Sequence, residues 1–246
     1  MLSKAQNKYI RSLTQQKFRN ENKVFIAEGV KISSEWLSAG AQIQMIIATK
    51  EWIEQHRTLI LKHKDAQLCV VNDSELSALS AMQTPNQVIL VITMPEKKEI
   101  PFLNEWYLAL DDIQDPGNMG TIIRIADWFG INHVICSPGC VDIYNPKVVQ
   151  SAMGGHLRVN LYDTELEPFL LAISLPKIAA TLDGDSVYDM KRQDAGVLII
   201  GNESKGVSER VLAMATKKIM IPRRGGAESL NAGVSAGILS ALLLPC

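Results

Sequence analysis

Short continuous apolar runs recur along this chain, each closed by a turn bearing glycine, asparagine or proline. In the second half, "WYLALDDI", "HVICS", "KIAATL", "GVLIIG" and "KKIMIP" read as strands, and the last three as strands covered on both faces of a parallel sheet. Between them "NMGTIIRIADWFG" has helical spacing and closes on Gly130, in the position where glycine ends helices. "NPKVVQSAMGG" and "NAGVSAGILSALL" read as two further helices. The first half is predicted to hold a helix over 4–19, the strand "KVFIAEG", a helix around "KISSEWLSAG", and the strands "IQMIIAT", "AQLCVVN" and "QVILVI". Alternation of this kind is the mark of an α/β chain.

The segment "TMPEKKEIPFLNEW" separates the halves with two prolines and a charge cluster. We therefore expect a small domain over 1–94, a linker over 95–105 and a larger α/β domain over 106–246. There is no internal repeat and no low-complexity segment.

Composition adds little until charge is resolved along the chain. With 47% hydrophobic and 21% charged residues the sequence is that of an ordinary soluble globular protein. Residues 1–100 carry 13 Lys and Arg against 10 Asp and Glu, whereas the remainder carries 12 against 16. Lys4, Lys8, Arg11, Lys17, Arg19 and Lys23 crowd the first 23 residues, opposed only by Glu21. Such a patch can hold phosphates, and it equally suits the wet face of an amphipathic helix. Cys69, Cys136, Cys140 and Cys246 lack metal-site spacing and are too few for a disulfide framework. No metal is expected. The N-terminus lacks a signal-peptide core and no apolar run reaches membrane-spanning length, so a cytoplasmic location is expected.

In an open parallel sheet, ligands sit beyond the carboxyl ends of the strands. Three strand ends here carry glycine beside asparagine, serine or glutamate: "QDPGNMG", "NESKG" and "RRGGAESLN". One such turn is ordinary; three in half a chain point to a composite site. The dinucleotide G-x-G-x-x-G, the phosphate loop and the G-x-S-x-G elbow are all missing. His56, His63, His133 and His156 are scattered. The chemistry needs neither a metal nor an activated serine.

Taken in order and spacing, "NMGTIIRIADWFG", "LIIGNESKGVS" and "IPRRGGAESLNAGVSAGI" resemble the three motifs of the SPOUT superfamily, specifically the TrmH/SpoU family of RNA ribose 2′-O-methyltransferases. The resemblance covers about residues 106–246, and the N-terminal "NKYIRSLTQQKFRNENKVFIAEG" resembles the start of that family's substrate-binding domain. It implies a mainly parallel α/β sheet with a C-terminal trefoil knot, preceded by a small α/β, L30e-like domain. Physics alone would not propose a knot, since knots are nearly absent from proteins. In that light Gly225 and Gly226 are expected to supply unusual backbone conformations, and Gly233, Ala236 and Gly237 to let a helix pass close to other backbone.

The resemblance further implies S-adenosylmethionine as cofactor, held against Thr181, Leu182, Gly201, Asn202, Ile221 and Leu230, with Ser229 and Asn231 nearby. It makes Arg124, Asn118, Ser229 and Asn231 the catalytic set, and Lys4, Asn7, Lys8, Arg11, Lys17, Arg19, Glu203 and Arg124 candidates for RNA contact. Methyl transfer to a ribose hydroxyl is an in-line displacement that needs alignment, exclusion of water and stabilisation of a developing alkoxide. Because a guanidinium stays protonated, Arg124 is read as a holder of phosphate and stabiliser of the alkoxide rather than a base. From sequence alone, Asn118 is equally well placed as a helix N-cap, and Ser208 reads as a cap before "ERVLAMA".

Two positions depart from the family pattern: Arg223 and Arg224 follow the Ile-Pro where a Met is common, and Ala232-Gly233 stand where Val-Ser is usual. The resemblance also implies a homodimer through the knotted domain. The expected activity is therefore S-adenosylmethionine-dependent 2′-O-methylation of structured RNA, rRNA before tRNA. The alternative is a catalytically silent RNA-binding or ribosome assembly factor with the same fold. A nucleotide-binding oxidoreductase is disfavoured by the missing G-x-G-x-x-G.

Overall fold

The computed structural model describes residues 2–80, 82 and 86–245, so Cys246 lies outside the described residues. The chain begins α1 (Lys4–Ser12), α2 (Gln16–Asn22), β1 (Val24–Glu28), α3 (Val30–Ser38), β2 (Ile43–Thr49), α4 (Lys50–Gln55), α5 (Arg57–Ile60), β3 (Gln67–Val71), α6 (Asp73–Leu79) and β4 (Val88–Thr93). It continues with β5 (Trp106–Asp111), α7 (Pro116–Phe129), β6 (His133–Cys136), α8 (Pro146–Ala152), β7 (Asn160–Asp163), α9 (Leu166–Ala172) and β8 (Lys177–Ser186). β9 (Gly196–Gly201), α10 (Glu209–Leu212), β10 (Lys217–Met220) and α11 (Ala232–Leu243) complete it. Among the described residues, no helix is long and apolar enough to cross a membrane.

These elements form two compact units. The first comprises residues 1–96 together with Tyr144–Leu157. Its four-stranded sheet runs β1-β4-β2-β3, with β2 and β3 parallel and the other pairs antiparallel. Phe25, Trp36, Ile46, Trp52 and Leu90 fill its main core, and Val149 of α8 is buried among them. The sequence reading keeps residues 106–246 together as one domain; in the structure α8 packs with the first unit, because Val149 and the ring of Tyr144, stacked on Phe25, bury their apolar surface there.

The predicted helix over 4–19 is two helices. Arg19 is 1% exposed, and its Nη1 donates to the carbonyls of Leu13 (2.9 Å) and Thr14 (2.8 Å). It thus satisfies acceptors that the end of α1 leaves open. Among the expected RNA contacts Arg19 is therefore a correction: the side chain is internal.

The second unit holds residues 97–143 and 158–246. Its six strands are all parallel, in the order β10-β8-β9-β5-β6-β7. β5 is buried throughout and β9 as far as Ile200, and the two form the centre, as their unbroken apolar runs predict. β10 differs: it is an edge strand with Lys217 and Lys218 exposed, so "KKIMIP" is not covered on both faces. β7 and α9 occupy residues to which the sequence pattern assigned nothing; α9 buries Leu166, Phe169 and Leu170.

The stretch expected to be a linker is partly fixed: the Tyr107 hydroxyl donates to Pro101 O (2.6 Å) and accepts from Leu103 N (2.8 Å), and Phe102 stacks on Phe169. α7 ends on Gly130 in the left-handed conformation, φ 69°, as its sequence predicts.

β8 follows its neighbours only in part. Lys177–Ala179 pair with β9, while the register against β10 jumps from Ala179 to Asp185. Over this jump Gly184 lies against β10 so closely that a Cβ on it would stand 2.5 Å from Ile219 N. Gly201 is tighter still: a Cβ there would lie 2.2 Å from Val207 N and 2.3 Å from Gly206 C. Gly225 and Gly226, by contrast, have open space around them and no left-handed φ. The glycine requirement falls at Gly184, packed against β10, and at Gly201, packed against the returning limb of its own turn at Gly206–Val207, and not in the exposed loop.

Candidate functional site

Working outward from the sheet centre, the direction of strand progression reverses between β5 and β9, the place where open α/β sheets bind ligands. The turns that leave these two strands are fastened together. Asn202, just past β9, donates from Nδ2 to the Asp112 carbonyl, just past β5, at 2.8 Å. Asp111 Oδ2 accepts the Ser208 N–H at 2.7 Å. Ser208 itself holds the N-cap position of α10 without a capping bond, and its Oγ is buried with no partner.

Three residues, one from each glycine-bearing turn, then meet. Asn118 Nδ2 donates to Glu203 Oε1 at 2.5 Å, and Asn118 Oδ1 accepts from Asn231 Nδ2 at 2.7 Å. Asn118 is buried and stands one turn inside α7; the N-cap is Asp115, whose Oδ1 accepts the Asn118 N–H at 2.8 Å. The cap reading of Asn118 thus gives way to a bridging one, since Asp115 already supplies the cap. Asn231 both joins this chain and caps α11, its Oδ1 accepting Val234 N at 3.1 Å. α11 packs along α7 because the contact residues are small: a Cβ on Gly233 would meet Thr121 Cγ2 at 2.9 Å, and one on Gly237 would touch Ile125.

The family model of the SpoU rRNA Methylase family matches residues 105–241, more than half of the chain. The chain belongs to the SpoU rRNA methylase family. A second model, the MRM3-like substrate binding domain, matches residues 4–90. The 23S rRNA (guanosine(2553)-2′-O)-methyltransferase RlmP of Bacillus subtilis is 29% identical over 93% of this chain and 92% of its own. A TrmH-family protein from Porphyromonas gingivalis superposes with a TM-score of 0.88 at 34% identity, over 99% and 98% of the two chains. An S-adenosylmethionine-bound rRNA methyltransferase from Sinorhizobium meliloti does so with a TM-score of 0.88 at 28% identity, over 98% and 95%.

In this SpoU-family chain Arg124 lies on α7 six residues beyond Asn118, exposed and without a polar partner among the described residues. Ser229 is likewise exposed and unpartnered in the loop before Asn231. Thr181, Gly201 and Ile221 stand towards the carboxyl ends of adjacent strands β8, β9 and β10; Thr181 Oγ1 donates to Ile219 O at 3.4 Å. Leu182 is 76% exposed and Leu230 46% exposed.

Asn202, expected among the cofactor contacts, instead directs its side chain to protein. Besides Asp112, its Oδ1 accepts the N–H groups of Ser204 (2.9 Å) and Lys205 (3.1 Å). Sequence reasoning missed Asp112, a non-glycine residue at φ 59° whose carbonyl is the anchor for this contact. Its aspartate identity, tolerated in the left-handed region, was the available signal.

In the first unit, Lys4 and Lys8 are exposed and free of polar partners among the described residues, and Asn7 is half-buried beside them on α1. Arg11 donates from Nε and Nη2 to the Ala78 carbonyl, and Lys17 lies 3.9 Å from Glu21.

Proposed function

We propose that this protein transfers the methyl group of S-adenosylmethionine to a ribose 2′-hydroxyl of structured RNA, with rRNA the substrate. The observation that carries the reading is the joined set Asn118–Glu203–Asn231, which brings the three family motifs together at the strand carboxyl ends. The relatives named above as rRNA methyltransferases support the substrate class.

The cofactor, when bound, supplies a sulfonium-activated methyl group. Thr181, Leu182, Gly201, Ile221 and Leu230 would hold it. The chain's own task is orientation. Asn118 is fixed at both ends of its amide, so the first turn of α7 and the start of α11 keep one relative position. Arg124, carrying a permanent charge and no internal partner, is the group available to a phosphate and to the alkoxide that develops on the ribose oxygen. Ser229, exposed in the loop before Asn231, is a second available donor. The first unit is read as the RNA-presenting part, with Lys4, Asn7, Lys8 and Lys17 on its helices.

Three further features belong to this reading. The carboxyl-terminal segment is taken to be knotted; the bond from Gln193 N to Leu243 O (3.0 Å), which brings the end of α11 back beside the entry to β9, supports it. The enzyme is taken to be a homodimer through α7 and α11, on which Trp128 is 82% and Val234 49% exposed. It is taken to act in the cytoplasm.

The test is transfer of a labelled methyl group to rRNA by the wild type and by Arg124→Ala. The variant is expected to lose about 100- to 1,000-fold in rate, the scale for one lost oxyanion donor, with calorimetric affinity for S-adenosylmethionine nearly unchanged. Cofactor affinity lost in parallel would overturn the role given to Arg124; no transfer by wild type would overturn the activity.

A further inference from the structure

We infer that Asn202 is a positioning residue for methyl transfer, acting through Glu203, and not a cofactor contact; this rests on the methyltransferase reading above. Three of the four hydrogen-bonding capacities of its amide are engaged within the protein: one N–H by Asp112 O, and both acceptor sites by Ser204 N and Lys205 N. Its backbone is held as well. Asn202 N donates to Gly206 O at 3.0 Å and Asn202 O accepts from Gly206 N at 2.9 Å, which closes the five-residue turn into a rigid loop.

The anchor is itself fixed on every side. Asp112 N donates to Ser137 Oγ at 2.9 Å, and its Oδ1 accepts Gln114 Nε2 at 3.1 Å. The Lys205 ammonium lies 3.9 Å from Oδ2. Gly139 sits so near that a Cβ there would stand 2.5 Å from Asp112 Oδ1. Asp112 and Asn202 together therefore clamp the exit of β5 to the exit of β9.

Glu203 is the next residue along the chain, and its carboxylate holds the Asn118 amide, which in turn holds Asn231. Among the described residues, Glu203 makes the only hydrogen bond from this turn to Asn118, so the accuracy with which Glu203 is presented depends on the clamp behind it. Displacement of a catalytic constellation by about 1 Å costs on the order of 100-fold in rate. An error at Asn202 is passed to Glu203, Asn118 and Asn231 in succession.

The test is a double-mutant cycle of Asn202→Asp and Glu203→Gln, with methyl transfer and cofactor affinity measured for each variant. Asn202→Asp keeps the shape and both acceptors but loses the N–H that reaches Asp112. We expect kcat to fall roughly 10- to 100-fold while the cofactor Kd stays within about twofold. In the Glu203→Gln background the same change is expected to cost less than about threefold, because the two residues act in series. Parallel loss of cofactor affinity, or full multiplication of the two losses, would overturn the inference. Where the aspartate variant fails to fold, Asn202→Ser replaces it.

A second measurement needs no RNA and separates this inference from the activity. Hydrogen exchange at the Ser204 and Lys205 amides is expected to quicken at least about tenfold in Asn202→Ala, which removes the oxygen that accepts both, with β9 amides unchanged. Unaltered exchange at those two amides sinks the inference even if wild type methylates rRNA. Wild type that transfers no methyl counts against the activity alone.

Discussion

The two ends of the six-stranded sheet are built from similar residue types and do opposite things with them. At the amino ends of the strands, His133 Nε2 lies 2.7 Å from Glu105 Oε1, its Nδ1 is 3.0 Å from the Tyr162 hydroxyl, and its ring stacks on Tyr107. Trp106 Nε1 donates to Gln193 O, and the flat face of that indole covers Gly196. The ring nitrogens of His133, the Tyr162 hydroxyl and Trp106 Nε1 each lie against a polar partner, and most of the cluster is sealed from water. At the carboxyl ends, Asn118, Glu203 and Asn231 are also joined, but they run out into an exposed loop where Ser229 has no partner among the described residues, and α7 carries Arg124 in the same unpartnered state. A polar network closed on itself stabilises; one with open ends is ready for a ligand. The distribution of unused donors, rather than the number of polar residues, separates the structural end from the working end.

The most severe way to break this contrast is at the tight turn that supports the working end. Gly201→Ala would force a Cβ into the Gly206–Val207 backbone. We expect a loss of more than ~3 kcal/mol in unfolding free energy by denaturant titration, beyond the usual cost of over-packing. A variant as stable as wild type would show that the turn is loose.

A smaller effect is expected at the closed end. Burial holds His133 below the ordinary histidine range, outweighing the carboxylate of Glu105, so the ring stays neutral in the folded chain. The unfolded chain takes up a proton below about pH 6.5, where the folded one does not. Stability contributed by this site is therefore present above that pH and declines as the pH falls. His133→Gln should cost about 1–3 kcal/mol at neutral pH by leaving Glu105 without its partner. It should also flatten the acid decline between pH 7 and 5 and leave cofactor affinity untouched. Lost cofactor binding would blur the division between the two ends.

The smallest effect belongs to the open loop. Arg224 is exposed and has no partner among the described residues. Arg224→Ala should weaken RNA binding uniformly across sequences and lower the salt slope by about one phosphate contact. An unchanged slope would leave that arginine outside the interface.

Much of this contrast was legible before any coordinates. β5 and β9 announce themselves as unbroken apolar runs, and the three glycine-bearing turns at strand ends mark the site. What the sequence does not show is which of several available partners each polar group or glycine takes once the turns close. Nothing near Arg19 says that its guanidinium closes off α1, because the carbonyls it meets are exposed only once Leu13–Gln15 breaks the helix. Asn118 looked like a cap because the residue type suits one, yet Asp115 had already taken that place and left its amide for Glu203 and Asn231. Gly225 and Gly226 stand out as an adjacent pair yet have open space around them, whereas Gly201 is single in the sequence and pressed against Gly206–Val207. The family resemblance makes Asn202 a cofactor contact; the bonds of its side chain to Asp112, Ser204 and Lys205 are a property of the folded turn.

The placement of α8 sets an order of assembly. Val149, Tyr144, Met153 and Leu157 belong to the core of the first unit, yet the whole of β5, α7 and β6 precedes them along the chain. During synthesis, then, the amino-terminal core can gain Val149 and the Tyr144 ring only after the first strands of its successor have been made. Cutting the message after codon 96 would deliver not a small independent domain but one with a missing wall.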